Sequence, residues 1–560
     1  MPITKITLEN FKGISERTEV ELKPITILFG ANSAGKSTLL QAMLYLREVL
    51  ERRNADADQL QACGASIDLG GFRQFVHGHD LSREVKLGVT VEVSDDGLPL
   101  IPVLELAQIN SASADFIENG ITGIQTVGIE VSIRWDVEHE CPRIHTYSVS
   151  LNGVDFVKLE AESALQCYLV NFEPWHEEFP DDIRSEPDPE DQRIPAFQLS
   201  SYLGRENLVD IFQLDLADPE NQVAYRVPLA SISVIPSWDQ HILPKKSFDQ
   251  LHRKDQESSA DIDELSEYAF AQSILSQILV GGGRTVLEEL QKVRYIGPLR
   301  KVPSRNFELL RSSREDRWSD GLAAWDALHK SAAISDGNGV VVATSKWLWD
   351  YLDLGYSLSC RRYYEIEQDG MIHLGLVQLA KRGLDEEVEE KLSRLLDLME
   401  ESPTRTALTL YDANTHTIVA PCDIGVGVSQ VIPVVVGSLV QGERMVVVEQ
   451  PELHLHPAVQ ARLGDLFING ALEDAGNRFI LESHSEHLML RLLRRIRETA
   501  EQDEDYPDYL AGVKPEHISV YYVQSREGKT EMIPLRISKE GDFLDRWPNG
   551  FFDERADELF

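Results

Sequence analysis

One octapeptide restricts this chain more than any other feature. Gly30-Ala31-Asn32-Ser33-Ala34-Gly35-Lys36-Ser37 matches G-x-x-x-x-G-K-[ST] in full. It follows the apolar segment Ile25 to Phe29 and precedes a run in which Leu39, Met43, Leu46 and Leu50 recur at helical spacing. Strand, glycine loop, helix is the order that a phosphate-binding loop requires. Gly30 and Gly35 let the backbone curl until successive N–H groups face inward, and the helix start adds partial positive charge. Gly30, Asn32, Ser33, Ala34, Gly35, Lys36, Ser37 and Thr38 are therefore expected to line a nucleotide. Lys36 would meet the β- and γ-phosphates, and Ser37 would ligate Mg2+.

A chain of 560 residues is too long for one ordinary core, so insertions or several units are expected. The formal charge is −39, which argues against nucleic acid bound across the whole surface and leaves room only for a local basic groove. The five cysteines are scattered with no CxxC pair, so neither a disulfide framework nor a zinc ribbon is expected. No stretch reaches the ~18 apolar residues of a membrane span, and the first residues lack a signal-peptide core. The expectation is a reduced, cytoplasmic protein that makes no membrane contact.

Alternating apolar residues predict an antiparallel sheet from Val85–Val93, Ile129–Trp135 and Tyr147–Leu151, with a turn at Asn152-Gly153. The acidic, proline-rich segment Glu173 to Asp191 reads as a linker or surface loop. An amphipathic helix is expected over Asp263–Leu279, ending in a glycine break at Gly281-Gly282-Gly283. Helices are expected over about Trp318–Leu354 and Asp385–Glu400, and a strand over Ile518–Val523. The division that follows is 1–165, the first part of the phosphate-loop domain; 166–290, acidic linker and insertion; 291–400, mainly helical; 401–499, the second part of that domain; and 500–560, a tail domain. No sustained heptads are present, so no long coiled coil is encoded.

A nucleotide site needs a second acidic anchor on a buried strand. Met445-Val446-Val447-Val448-Glu449-Gln450-Pro451-Glu452 supplies four apolar residues and then an acid, and continues Leu453-His454-Leu455-His456-Pro457. At these residues the chain resembles the ABC-type ATPase heads of the SMC, RecF and OLD class, whose motif reads apolar-apolar-apolar-Asp-Glu-Pro-Glu. The resemblance implies an α/β ABC-ATPase-like head: a phosphate-loop core with a mixed sheet, an antiparallel β subdomain and a helical insertion. It makes Glu449 a Mg2+ anchor. Gln450 stands where the class places its general-base Glu, and Gln cannot accept a proton. Either Glu452 substitutes, or hydrolysis is slow and binding is the switch.

The same resemblance makes His484, in Ile480-Leu481-Glu482-Ser483-His484, the switch histidine at the γ-phosphate. The competing reading is a metal site built from His454, His456, His484 and His487. Asp423 to Gln430, opening a helix, matches the position of the signature loop, which implies that Gly425, Gly427, Ser429 and Gln430 read a partner subunit's γ-phosphate. Gln74, in Asp68 to Phe75, is the candidate Mg2+-contacting Gln, against an ordinary surface residue. Arg491, Arg494, Arg495 and Arg497 fit either a phosphate-touching face or a solvated face paired to acids.

Tyr295-Ile296-Gly297-Pro298-Leu299-Arg300, the Glu449 motif, and Gly541 to Pro548 with Phe551-Phe552 are similar to prokaryotic AAA-type ATPases that end in a domain of unknown function. OLD nucleases carry a Toprim domain after the ATPase, but only 76 residues follow His484. Their acids sit in a loop-like stretch, so any cutting would fall to another polypeptide. The resemblance thus implies ATP and Mg2+ as cofactors, a homodimer or higher oligomer, and a separate effector, a nuclease, as in bacterial anti-phage systems such as Septu. A role in DNA repair or chromosome maintenance is the alternative.

Overall fold

The computed structural model describes residues 2–56, 69–93, 97–98, 121–122, 124–163, 166–172, 194–195, 227–229, 233–239, 275–304, 315–333, 339–364, 366–368, 370–380, 386–400, 404–442, 444–473 and 476–547. The acidic segment Glu173–Asp191, most of the helix expected over Asp263–Leu279, and Pro548 with Phe551-Phe552 lie outside the described residues.

From the N-terminus, β1 (Ile3–Glu9), β2 (Thr18–Glu21) and β3 (Ile25–Gly30) lead into α1 (Lys36–Arg52). Then follow β4 (Val85–Glu92), β5 (Ile121–Thr122), β6 (Thr126–Asp136), β7 (Cys141–Leu151), β8 (Val154–Ser163), β9 (Gln166–Phe172), β10 (Ile194–Pro195) and β11 (Val227–Leu229). Next come α2 (Gly282–Gln291), β12 (Arg294–Ile296), α3 (Leu322–Ala333), α4 (Val340–Lys346), β13 (Tyr356–Tyr364), α5 (Met371–Leu379) and α6 (Glu386–Glu400). The last third holds β14 (Thr404–Asp412), β15 (Thr417–Val419), α7 (Val426–Leu439), β16 (Met445–Glu449), α8 (Pro457–Leu472), β17 (Arg478–Ser483), α9 (Glu486–Glu501), β18 (Ile518–Arg526) and β19 (Lys529–Leu535).

Of the four sheets among the described residues, two position the site. The central one has the order β12-β16-β17-β3-β18-β19, parallel except for β19. Its strands read as unbroken apolar runs because both faces are covered. Met445 and Val447 pack on one side with α1 and α2, while Val446 and Val448 pack on the other with α7, α8 and α9. β17 lies between the strand of the glycine loop and the strand of the predicted acid, which brings all three strand ends to one edge.

The second sheet is antiparallel, in the order β11-β9-β8-β7-β6-β4-β1-β2. Val85, Leu87, Val89 and Val91 of β4 are all buried, as their alternation predicts. Asn152 and Gly153 both have positive φ, 50° and 82°, the geometry that a two-residue hairpin needs to match strand twist. β9 and β11 extend this sheet, so a unit boundary at 165 falls inside it.

Two other expectations change. The Gly281-Gly282-Gly283 break is absent: Gly281 is helical (φ −62°, ψ −45°) and a π-turn at Gln277–Gly281 runs straight into α2. These glycines serve close packing. A Cβ on Gly283 would lie 2.2 Å from the Tyr147 hydroxyl and 2.4 Å from the Trp238 ring. Residues 500–547 are likewise no separate tail, because β18 pairs in parallel with β3 and β19 completes the central sheet. Trp547 closes it with an edge contact on Phe29 at 5.4 Å between ring centroids.

Candidate functional site

Every residue of β3 is buried, and the strand ends at Gly30 (φ 152°), where a Cβ would lie 2.0 Å from the Val523 carbonyl of β18. Ser33 takes a left-handed turn (φ 61°), and Gly35 caps α1 at φ 99°. Thr530 of β19 braces the loop from outside, donating to the Ala34 carbonyl at 3.1 Å. Asn32 and Ser33 are exposed at the loop tip, whereas Ala34 and Thr38 are buried beneath it. Lys36 is only 3 % exposed, and its ammonium donates to the carbonyls of Gly30 (3.1 Å) and Ala31 (2.9 Å). Burial pulls its pKa down, opposed by the charges of Glu482, Glu452 and Glu449. An ammonium with no solvent shell, held on weak carbonyl acceptors, is poised to take phosphate oxygens.

Three carboxylates surround that ammonium. Glu449, at the end of β16, accepts from the Tyr295 hydroxyl at 2.9 Å. Burial and then the neighbouring Glu482 push its pKa up to about 7, against the pull of Tyr295, Arg300 and Lys12. Glu452 ties two motifs together: it accepts from the His484 N–H at 2.6 Å and the Ser483 hydroxyl at 2.9 Å. Burial raises its pKa as well. Glu482 faces Glu449 in register on the adjoining strand and accepts from the Ser37 hydroxyl at 2.6 Å. His484 is held below the usual histidine range by burial and the Lys36 charge, and its ring bonds to the Gly30 backbone. Its imidazole is thus neutral near pH 7.

Gln450 adopts the left-handed region (φ 45°), its N–H donating to the Glu482 carbonyl at 2.7 Å. Its carbonyl, with those of Glu449 and Gln430, accepts from the buried Arg300 guanidinium at 3.2, 2.6 and 3.1 Å. Arg300 stays protonated near neutral pH, although burial brings it down to about 10. The side-chain amide of Gln430 bonds both the N–H and the carbonyl of Arg300, at 3.1 and 2.5 Å. Gln430 is therefore turned into the core, 8 % exposed, and acts as a strut instead of facing outward. Ser429 is also buried, donating to the Val426 carbonyl at 2.8 Å. Gly425 and Val426 form the exposed rim of the α7 start, while Gly427 packs on the His454 carbonyl, 2.9 Å from where a Cβ would sit. The resulting chain of contacts runs from the α7 start through Arg300 to Glu449.

Sequence reasoning missed Glu482, Tyr295 and Arg300. The signal for Glu482 was an acid at the end of an apolar strand, overshadowed by the histidine two residues on. Gln74 is exposed on the one-turn helix Phe72–Phe75 and is not among the groups joined at the carboxylates. That turn is tied to the Lys12 backbone, whose N–H donates to the Phe75 carbonyl at 2.6 Å. The arginines of α9 resolve in favour of acid pairing. Arg491 and Arg495 hold the buried Asp465 (2.8 and 2.7 Å), Arg494 and Arg495 hold Glu498 (both 2.5 Å), and Arg497 meets Asp542 at 2.9 Å.

Among the described residues, no group of three or more His, Cys, Asp or Glu side chains is arranged to hold a metal ion. Mg2+ beside a nucleotide needs less than that, because phosphate and water oxygens fill most of its shell. The all-oxygen set of Ser37, Glu449 and Glu482 suits such a hard cation. No helix among the described residues is long and apolar enough to cross a membrane.

Fold and site together define a nucleotide-binding module of the AAA ATPase type, and two stretches of the chain match family models of that type. Residues 1–91 match the family model described as "AAA ATPase domain", and residues 291–490 match "AAA domain, putative AbiEii toxin, Type IV TA system". Residues 513–560 match a "Protein of unknown function (DUF3696)". No curated protein matches the sequence. Among solved structures, an SMC head bound to the C-winged helix domain of ScpA aligns at 12% identity and TM-score 0.35, covering 96% of this chain and 99% of its own. The Smc head from Pyrococcus furiosus bound to the C-terminal domain of ScpA gives 12% and 0.34 over 100% and 98%. The SMC head domain from Thermotoga maritima gives 7% and 0.34 over 96% and 100%. At these TM-scores the overlays add nothing to the topology described above.

Proposed function

We propose that the chain is an ATP-binding and ATP-hydrolysing switch, in which two heads sandwich two Mg2+-ATP molecules and so control a separate effector. One observation carries this reading: Lys36, Ser37, Glu449, Glu452 and His484 converge at the ends of three neighbouring parallel strands. Lys36 leaves its loop carbonyls for phosphate oxygens. Ser37 and Glu449 hold the cation, which supplies positive charge to the phosphates. Neutral His484 offers a hydrogen bond at the γ-phosphate end, its loop kept in place by Glu452. The exposed rim at Gly425 and Val426 meets the partner's nucleotide, and Arg300 relays the position of that rim to Glu449.

The effector is a nuclease made by another chain, and the setting is anti-phage defence. The toxin–antitoxin wording of the family matched at 291–490 supports such a setting, and a charge of −39 suits docking of a basic partner. A DNA-repair role of RecF type loses its main motive, because the four arginines of α9 already hold acids. Cells expressing this chain with its neighbouring partner should resist phage, and Lys36→Ala should remove the resistance. Protection by this chain alone, undiminished in Lys36→Ala, would contradict the proposal.

Gln450 supports a second reading, a nucleotide-held scaffold with little turnover. Its amide cannot take a proton, and both oxygens of Glu452 already accept hydrogen bonds. A Gln450→Glu variant separates the two: a rise of ~10-fold or more in turnover favours the scaffold, within the 10²–10⁴-fold that a positioned base contributes. Unchanged turnover favours the hydrolysing switch.

A further inference from the structure

The acid that meets the hydroxyl of the glycine loop is not the one on β16. Ser37 donates to Glu482 Oε2 at 2.6 Å, while Glu449 Oε1 is taken by the Tyr295 hydroxyl. The sheet order explains why: β17 lies directly beside β3, with Glu482 registered on Leu28, and β16 is one strand further out. Both acids are nearly fully buried, Glu449 at 8 % exposure and Glu482 at 5 %. Two carboxylates side by side on neighbouring strands repel each other, and a neutral Asn or Thr would accept the Ser37 hydrogen bond without that cost. A second negative charge at this point becomes favourable when a dication arrives, and the serine that Glu482 grips is the loop's own cation ligand.

We propose that Glu482 is a magnesium-anchoring residue of the nucleotide site, acting beside Ser37 and Glu449. The inference rests on the nucleotide-site reading above and adds the residue that completes its cation pocket. Glu482 is also tied to the Gln450 turn by one hydrogen bond, since its carbonyl accepts the Gln450 N–H at 2.7 Å. The carboxylate that the Gln450 position lacks is thus present on the neighbouring strand, in a cation-holding role.

Mn2+ serves as the probe, its free concentration read by electron paramagnetic resonance with a non-hydrolysable ATP analogue present. Glu482→Gln should weaken Mn2+ binding about tenfold or more, at ~1.4 kcal/mol per decade. Binding of a fluorescent ATP analogue in EDTA should not weaken, because the change takes negative charge away from beside Lys36 and the phosphates. A purely structural hydrogen-bond acceptor would leave Mn2+ affinity unchanged, and that result overturns the proposal. If the amide variant does not fold, Glu482→Asp keeps the charge and shortens its reach: weaker Mn2+ binding supports the role, and unchanged binding overturns it. Loss of nucleotide in Lys36→Ala with Glu482→Gln at wild-type Mn2+ affinity would sink only this inference. A wild-type protein that binds no Mn2+-nucleotide at all would sink the site reading with it.

Discussion

Lys36→Ala should lower ATP turnover by about 10²–10³-fold, the range seen when one preorganised donor to a developing charge is removed. The size of the effect follows from burial. Lys36 is enclosed, and its ammonium faces three carboxylates with only two loop carbonyls as direct acceptors. The neighbouring cations are engaged elsewhere among the described residues: Arg300 is committed to three backbone carbonyls of the Glu449 turn and α7, and Lys12 donates to Gln41. Circular dichroism should remain that of a folded protein, because the hydrogen bonds of the Lys36 ammonium run to carbonyls of its own loop. Turnover retained at the wild-type level would remove the glycine loop from the chemistry altogether.

Arg300→Met should destabilise the protein by about 3 kcal/mol, the scale of a buried hub whose partners lose their donors. Methionine roughly keeps the volume and deletes the donors, so the carbonyls of Gln430, Glu449 and Gln450 lose their shared guanidinium inside the core. Chemical denaturation followed by tryptophan fluorescence would measure the loss. Lys301→Ala is the matching control. Lys301 is 68 % exposed and pairs with Asp320 at the surface, so its removal should cost under about 0.5 kcal/mol. Equal stabilities of the two variants would show that the Arg300 contacts are not a structural hub. Because this strut also joins α7 to Glu449, any folded Arg300→Met protein should bind nucleotide yet dimerise poorly.

Much of the central sheet was legible because its cause is local. Ile25–Gly30, Met445–Glu449 and Arg478–Ser483 are short apolar runs ending in glycine, acid or polar residues, and only a doubly covered parallel sheet buries such runs on both faces. Lys36, Glu449 and His484 could be read from the same pattern and from family resemblance. Side-chain direction could not be read. Gln430 is expected to face outward from a signature loop, yet its amide is satisfied by Arg300, a residue 130 positions away in sequence. The glycine triplet at 281–283 looked like a breaker because sequence shows conformational freedom, and not that Tyr147 and Trp238 crowd the helix. β18 could be read as a strand, but its place beside β3 depends on a pairing nearly five hundred residues apart. Glu482 was hidden by a similar limit, since its meaning comes from the strand order.

The central claim is that nucleotide at the glycine loop brings two heads together. Sedimentation velocity with Mg2+ and a non-hydrolysable ATP analogue tests it most directly. A shift from monomer to dimer is expected on adding nucleotide, absent in Lys36→Ala. An unchanged sedimentation coefficient in the wild type, or a dimer that forms equally in Lys36→Ala, would contradict it.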